Sequence, residues 1–268
     1  MTARPTDRRD AEAIRPRPSL LDTGVGRFRV GPHRGTTDVV MLAPVPGGPL
    51  SRPEAVRRAL TELRAVGWSR AVTPALAPVE QEAYLANGFA LRERLHLLER
   101  PVRLGDARSR PTPIGIRLGR AAPADRLPAL EVDRLAFDRF WRLDERGLLE
   151  AVAATPTARF RIGQPVDQPR EPGGEVVAYA ITGRAGRRGY LQRLAVDPSY
   201  RRAGLATALI TDATRWLARC GARTVVVNTQ EHNAAALALY QHLGFVLQPG
   251  GLVVLEAELA PATTPGPP

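Results

Sequence analysis

The stretch that decides the reading is Leu194-Ala-Val-Asp-Pro-Ser-Tyr-Arg-Arg-Ala-Gly-Leu-Ala206. Its apolar start reads as a β-strand closing at Val196. Asp197-Pro198 reads as a turn, and a helix begins near Ala203. Inside this junction lies Arg201-x-x-Gly204-x-Ala206. Residues with little side chain at a helix start let backbone N–H groups approach a ligand, and the helix dipole favours negative charge there. A pyrophosphate suits such a corner, with Arg201 or Arg202 adding charge-assisted contacts. Taken alone, the segment is equally an ordinary strand–turn–helix whose glycine serves tight packing.

Working outward, the spacing predicts a short strand over Ile114 to Leu118 and a helix over Pro123 to Phe137, with Leu127, Leu130, Leu135 and Phe137 as its apolar face. A second short helix runs from Asp144 to Ala154. Arg159 to Ile162, Glu175 to Thr182 and Tyr190 to Val196 read as strands bounded by Gly and Pro, with a loop over Gly163 to Gly174. Ala203 to Cys220 is a long amphipathic helix with Leu205, Leu209, Ala213, Trp216 and Leu217 on one face and Gly221 as its stop. Thr224 to Val227 is a buried strand, Ala234 to Leu243 a helix and Leu252 to Leu259 a last strand. A mixed α+β sheet flanked by helices follows.

The first half repeats the second in outline. Tyr84-Leu-Ala-Asn-Gly88-Phe89 matches Tyr240-Gln-His-Leu-Gly244-Phe245, and Leu63-x-x-x-Gly67 matches Leu217-x-x-x-Gly221. The two glycines lie 21 residues apart in one copy and 23 in the other. Leu97-Leu98-Glu99 parallels Val254-Leu255-Glu256. Features in one order at nearly one spacing indicate a duplicated, shortened unit. The first copy has no Arg-x-x-Gly-x-Ala, reading Val45-Pro-Gly-Gly-Pro-Leu-Ser-Arg52 instead, and no Asn before Tyr84.

Between Asn233 and Phe245 stands Asn-x-x-Ala-x-x-Leu-Tyr-x-x-x-Gly-Phe, complete as Asn233, Ala236, Leu239, Tyr240, Gly244 and Phe245. With Arg201, Gly204 and Ala206 upstream, Thr112 to Glu258 resembles the GCN5-related N-acetyltransferase (GNAT) superfamily. The resemblance implies a mostly antiparallel mixed sheet flanked by helices, preceded here by a smaller degenerate GNAT-like half-domain. It also implies transfer of an acetyl group from acetyl-CoA to an amine, by direct attack in a ternary complex. Backbone groups of Leu194, Ala195 and Val196 would hold the pantetheine arm. Arg201 and amides of Arg202, Ala203, Gly204, Leu205, Ala206 and Thr207 would cradle the pyrophosphate. Asn233 would bond the donor arm and Tyr240 would protonate the departing thiolate. An ordinary phenol, with a pKa near 10, is close to a thiol in acidity and makes a reasonable acid; a core aromatic is the competing reading of Tyr240. A non-catalytic CoA-binding or partner-binding module is the alternative for the whole.

The sequence departs from the family where a base is needed. Tyr190 and Asn228 occupy the positions at which relatives carry a Glu, leaving water, Glu231 or Asp133 as candidates. Phe137, Phe140 and Trp141 cluster where the acceptor would enter, and serve equally as core. His33, His96, His232 and His242 lack metal-ligand spacing, so no metal site is expected. Cys220 is far in sequence from the thioester position and is not read as a nucleophile.

Of 268 residues, 44% are apolar and 24% charged, which fits a globular chain. No run approaches the ~20 apolar residues of a membrane span. The single cysteine suits a reducing compartment, and the chain is read as cytoplasmic. All 38 basic residues are Arg, interleaved with Asp and Glu, so the net charge of +11 reads as a solvated mixed-sign surface. Neither nucleic acid nor membrane is expected as partner; an amine-bearing small molecule or protein is, with a homodimer admitted. The expected organisation is a disordered tail over 1–24, a degenerate unit over 25–103, a linker over 104–113, a catalytic domain over 114–260 and a tail over 261–268.

Overall fold

The structure is a computed structural model that describes residues 19–107, 115–167 and 171–259. The tail at 261–268 and most of the expected linker lie outside these residues, as does the N-terminal tail up to residue 18. Its continuation does not: Ser19–Asp22 forms strand β1, with Leu21 facing Phe28 of β2. A strand of only four residues, Ser-Leu-Leu-Asp, carries no alternation by which it could be read against the Pro/Arg-rich run before it. The other expected linker residues, Leu104–Ala107, form one 3-10 turn.

The remaining strands are β2 (Arg27–Pro32), β3 (Val39–Pro44), β4 (Arg70–Val72), β5 (Ala90–Pro101), β6 (Ile116–Arg120), β7 (Thr157–Pro165), β8 (Ala178–Ala185), β9 (Arg188–Val196), β10 (Thr224–Gln230), β11 (Val246–Leu247) and β12 (Leu252–Glu258). The helices are α1 (Pro53–Ala65), α2 (Pro78–Leu85), α3 (Arg126–Ala136), α4 (Glu145–Ala153), α5 (Leu205–Arg219) and α6 (Ala234–His242). None is long and apolar enough to cross a membrane among the described residues.

Among the described residues, contacts form two compact units: those up to Arg94 with those from Gly251 onward, and those within Leu95–Gly250. The expected boundary at 103–114 is therefore displaced. The strand after each Tyr-x-x-x-Gly-Phe motif joins the other copy: Leu95 to Pro101 of β5 pairs with β10, and β12 pairs with β4. Local pattern cannot reveal such an exchange, because either pairing buries the same alternating face.

In the first unit the strands run β1-β2-β3-β4-β12, antiparallel except for β3 and β4. Its core gathers Phe28, Leu42, Leu60, Leu76, Tyr84 and Leu255 beneath α1 and α2. The repeat is visible in detail. Gly88 and Gly244 both adopt φ of 82° where α2 and α6 stop. The Tyr84 and Phe89 rings meet edge-on at 5.3 Å, and those of Tyr240 and Phe245 at 5.6 Å.

In the second unit the strands run β6-β7-β8-β9-β10-β5, with β11 beside β5. All pairs are antiparallel but β9 with β10. Side chains alternate between faces. Tyr179 and Ile181 of β8 join the core under α3 and α4, while Ala178 and Ala180 join Leu205, Leu209, Ala213 and Leu217 of α5. The α5 face is the one the periodicity predicted, with Trp216 half-buried at its margin. That of α3 holds only in part: Leu130 and Phe137 pack against the core with the buried Ala129, Val132 and Asp133, while Leu127 is 69% and Leu135 42% exposed. Helix α3 turns its charged Asp inward because a buried Arg waits for it.

Candidate functional site

Strands β9 and β10 pair only at Arg188↔Thr224, Gly189↔Val225 and Tyr190↔Val226, and then part. The parting coincides with a register shift between β8 and β9 that leaves Gln192 unmatched. Such a bulge bends its strand and adds twist. Beyond it the orientation of the backbone follows from one bond, Asp197 N–H to the Val177 carbonyl at 2.9 Å. Bonded pairs alternate along an antiparallel ladder. Ala195 therefore spends its backbone groups on β8, whereas Leu194 and Val196 turn theirs to the edge that β10 has left. Of the three strand residues expected to hold the donor arm, two present free backbone at the parting.

The chain then turns toward α5. The Asp197 carboxylate accepts the Ser199 N–H at 2.8 Å, and Pro198–Tyr200 makes a 3-10 turn. Arg202 has φ of 66° and Gly204 φ of 80°. The left-handed region costs a non-glycine residue about 1–2 kcal/mol, and strain of this kind gathers at functional sites. Gly204 caps α5 without a side chain, and the first helical bond is Ala208 N–H to the Gly204 carbonyl at 2.9 Å. The N–H groups of Leu205, Ala206 and Thr207 thus have no acceptor within the helix. Arg201, Arg202, Ala203 and Gly204 are exposed around them, while the Leu205 side chain is buried below. The helix is seated tightly: a Cβ on Gly189 would lie 2.6 Å from both Leu217 methyls.

Asn233 caps α6, its Oδ1 accepting the Ala236 N–H at 3.1 Å, so that oxygen is committed to the fold and Nδ2 remains as a donor. Tyr240, on the inner face of α6, is 5% exposed. Its hydroxyl has no hydrogen-bond partner among the described residues, and burial alone pushes its pKa well above the ordinary value. The near-balance with a thiol argued from an unperturbed phenol does not carry over directly. A thiolate formed in the same dry surroundings is raised by the same desolvation.

On the other face of β9 the expected acceptor residues are brought together by a buried network. The Asp133 Oδ2 atom accepts the Tyr179 hydroxyl at 2.5 Å and the Arg193 Nε at 2.7 Å, and Oδ1 accepts the Leu143 N–H at 2.8 Å. Arg193 also donates to the Trp141 carbonyl at 2.6 Å and lies 3.5 Å above the Phe137 ring. The Phe140 and Trp141 rings meet edge-on at 5.2 Å. Asp133 is fully enclosed and locked by these partners, which removes it as a candidate base. Glu231 is exposed in the turn after β10, and Asn228 is exposed on β10 opposite Leu97. Arg193 was missed by sequence reasoning; an Arg inside an apolar strand, 60 residues from an Asp on an apolar helix face, was the available signal. A cavity of about 490 Å³ lined by Arg100, Arg103, Thr211 and His242 contains none of the expected site residues.

Residues 134–245 match the model of the acetyltransferase (GNAT) family. Among curated proteins, N-alpha-acetyltransferase 30 of Xenopus laevis is 45% identical over 60 residues, 22% of this chain and 22% of that one. The ribosomal protein bS18-alanine N-acetyltransferase of Escherichia coli (strain K12) is 40% identical over 72 residues, 27% of this chain. The chain spans 49% of the length of that enzyme. Among solved structures, a tandem GNAT protein from the clavulanic acid biosynthesis pathway matches with a TM-score of 0.66 at 15% identity, covering 89% of this chain and 80% of that one. A GCN5-related N-acetyltransferase from Kribbella flavida matches at 0.57 and 16% identity, covering 89% and 88%. At such identities the likeness establishes the fold.

Proposed function

We propose, because residues 134–245 match the model of the acetyltransferase (GNAT) family, that the protein is an N-acetyltransferase that takes an acetyl group from acetyl-CoA to an amine of a small molecule or protein. One observation carries the reading: the side-chain-free, uncapped start of α5 adjoins the unpaired backbone edge of Leu194 and Val196. A diphosphate suits the first, because orphan N–H groups and the helix dipole both favour negative charge. An extended amide-bearing arm suits the second, as an added strand would.

Acetyl-CoA supplies an activated thioester. The residues supply position and a proton. Amides of Leu205, Ala206 and Thr207, with Arg201, Arg202 and the exposed backbone at Ala203 and Gly204, hold the diphosphate. Leu194, Val196 and the Asn233 amide nitrogen fix the arm. Phe137, Phe140 and Trp141 line the acceptor side. Tyr240 keeps its proton until negative charge develops on the departing sulfur. With Asp133 locked in its network, the amine arrives neutral or loses its proton to water or to Glu231.

The test is calorimetric titration with acetyl-CoA, followed by mass-spectrometric assay of a panel of amines that includes peptides with a free N-terminal alanine. Binding together with a mass gain on at least one amine supports the reading. Absence of binding to any CoA thioester removes it. Binding without transfer to any amine would leave a non-catalytic CoA-binding module.

A further inference from the structure

The Arg193–Asp133 pair does more than fill the core, and this inference rests on the acyltransferase reading above. Arg193 lies on β9 between the unmatched Gln192 and Leu194, whose backbone faces the donor edge. Its guanidinium reaches in the other direction, to the loop that follows α3. There it donates to the Trp141 carbonyl at 2.6 Å and covers the Phe137 ring at 3.5 Å. Asp133 fixes the guanidinium and also accepts the Leu143 N–H at 2.8 Å, so both ends of the aromatic segment are tied to one ion pair. Arg142 closes the loop on itself, its Nε donating to the Phe137 carbonyl at 3.0 Å. The Arg193 side chain is 10% exposed and that of Asp133 0%. A buried ion pair is seldom the cheapest way to stabilise a core, since apolar residues of the same volume do as well or better. Its planar fork does something they cannot: it fixes direction, with separate N–H groups aimed at a carboxylate and a carbonyl.

We infer that Arg193, oriented by Asp133, is a positioning residue that sets the Phe137–Trp141 loop against the donor strand and so determines where the acceptor amine sits. It touches neither substrate.

The test uses the full chain carrying Arg193→Lys, which keeps the charge that Asp133 needs but loses the fork and the flat face over Phe137. Trp68→Phe and Trp216→Phe leave Trp141 as the reporting fluorophore. Three quantities are read: acetyl-CoA affinity by calorimetry, acrylamide quenching of Trp141, and kcat and KM for a peptide with N-terminal alanine or for whichever amine of the panel is acetylated. The expected result is acetyl-CoA affinity within about twofold of the parent, stronger Trp141 quenching, and an acceptor kcat/KM reduced by about 10²-fold, the cost of roughly 1 Å of misplacement. Unchanged quenching with unchanged acceptor kinetics overturns the inference. So does a parallel loss of acetyl-CoA affinity, which would mark a general loosening of β9. If Arg193→Lys does not fold, Asp133→Asn, which keeps the shape but weakens the hold on the guanidinium, must show the same split between donor and acceptor; a variant with parent-like kinetics overturns the inference. A parent protein that binds no acetyl-CoA sinks the acyltransferase reading itself, while the quenching arm, which needs no acceptor, still decides whether Arg193 holds the loop.

Discussion

Replacing Tyr240 by Phe separates catalysis from stability, because only the first should move. The side chain is 5% exposed and its hydroxyl has no hydrogen-bond partner among the described residues. Unlike the Tyr84 hydroxyl, this oxygen is not among the fully enclosed polar atoms without a partner, so water reaches it and it carries no large desolvation cost. Removing one oxygen leaves the ring against Phe245 untouched and a void smaller than a water. The variant should therefore stay within about 0.5 kcal/mol of the parent, as substitutions that break no buried interaction do. Activity should fall by about 10²–10⁴-fold in kcat, the usual worth of a positioned acid, with acetyl-CoA affinity unchanged. Tyr84, the counterpart in the first copy, provides the control. Its hydroxyl is buried without a partner, and Ser51 approaches it without hydrogen-bond geometry. Tyr84→Phe should gain on the order of 1 kcal/mol, because its buried hydroxyl has no partner, and leave turnover alone. Differential scanning calorimetry and single-turnover kinetics on the two variants decide the matter. A Tyr240→Phe protein that loses more than about 1 kcal/mol shows an anchored hydroxyl and a structural role. One that turns over like the parent refutes the acid.

Three further outcomes follow from the packing. Gly189→Ala sets a methyl 2.6 Å from both Leu217 methyls and should cost about 1–3 kcal/mol in urea unfolding; adding Leu217→Val should recover part of it. Burial raises Tyr84 from 10.0 to about 12, and it raises Tyr179 and Tyr240 as well. Above pH 10 the unfolded chain has lost protons that the native one keeps, so stability present below pH 10 falls as pH rises, by roughly 2 kcal/mol at pH 12 from Tyr84 alone; Tm measured across this range should show the decline, and Tyr84→Phe should make it shallower. A fragment cut at 114–260 should fail to fold by circular dichroism, since it lacks the β5 residues that pair with β10 from Thr224 to Gln230 and leaves β12 without β4; a cooperative melt from that fragment would contradict the strand exchange.

What was legible in the sequence was what is written locally. The Gly204 helix start, the amphipathic face of α5 and the Tyr-x-x-x-Gly-Phe endings each depend on residues within a turn or two, so spacing alone revealed them. Exchange of β5 and β12 was not legible, because an alternating strand fits any neighbour that completes its ladder and buries the same face. The apolar face of α3 misled for a related reason. Leu127 and Leu135 fit a helical stripe, yet the buried face carries Asp133, since Arg193 and the Tyr179 hydroxyl compensate it across 60 and 46 residues of chain. Periodicity counts apolar residues and treats a charge as surface. The places where that rule fails are those where a charge has a partner from far along the sequence, and such a partner is justified by what it orients more than by what it stabilises. That is why the one buried Asp on α3 that broke the pattern points to the Phe137–Trp141 loop, which it and Arg193 hold from two sides.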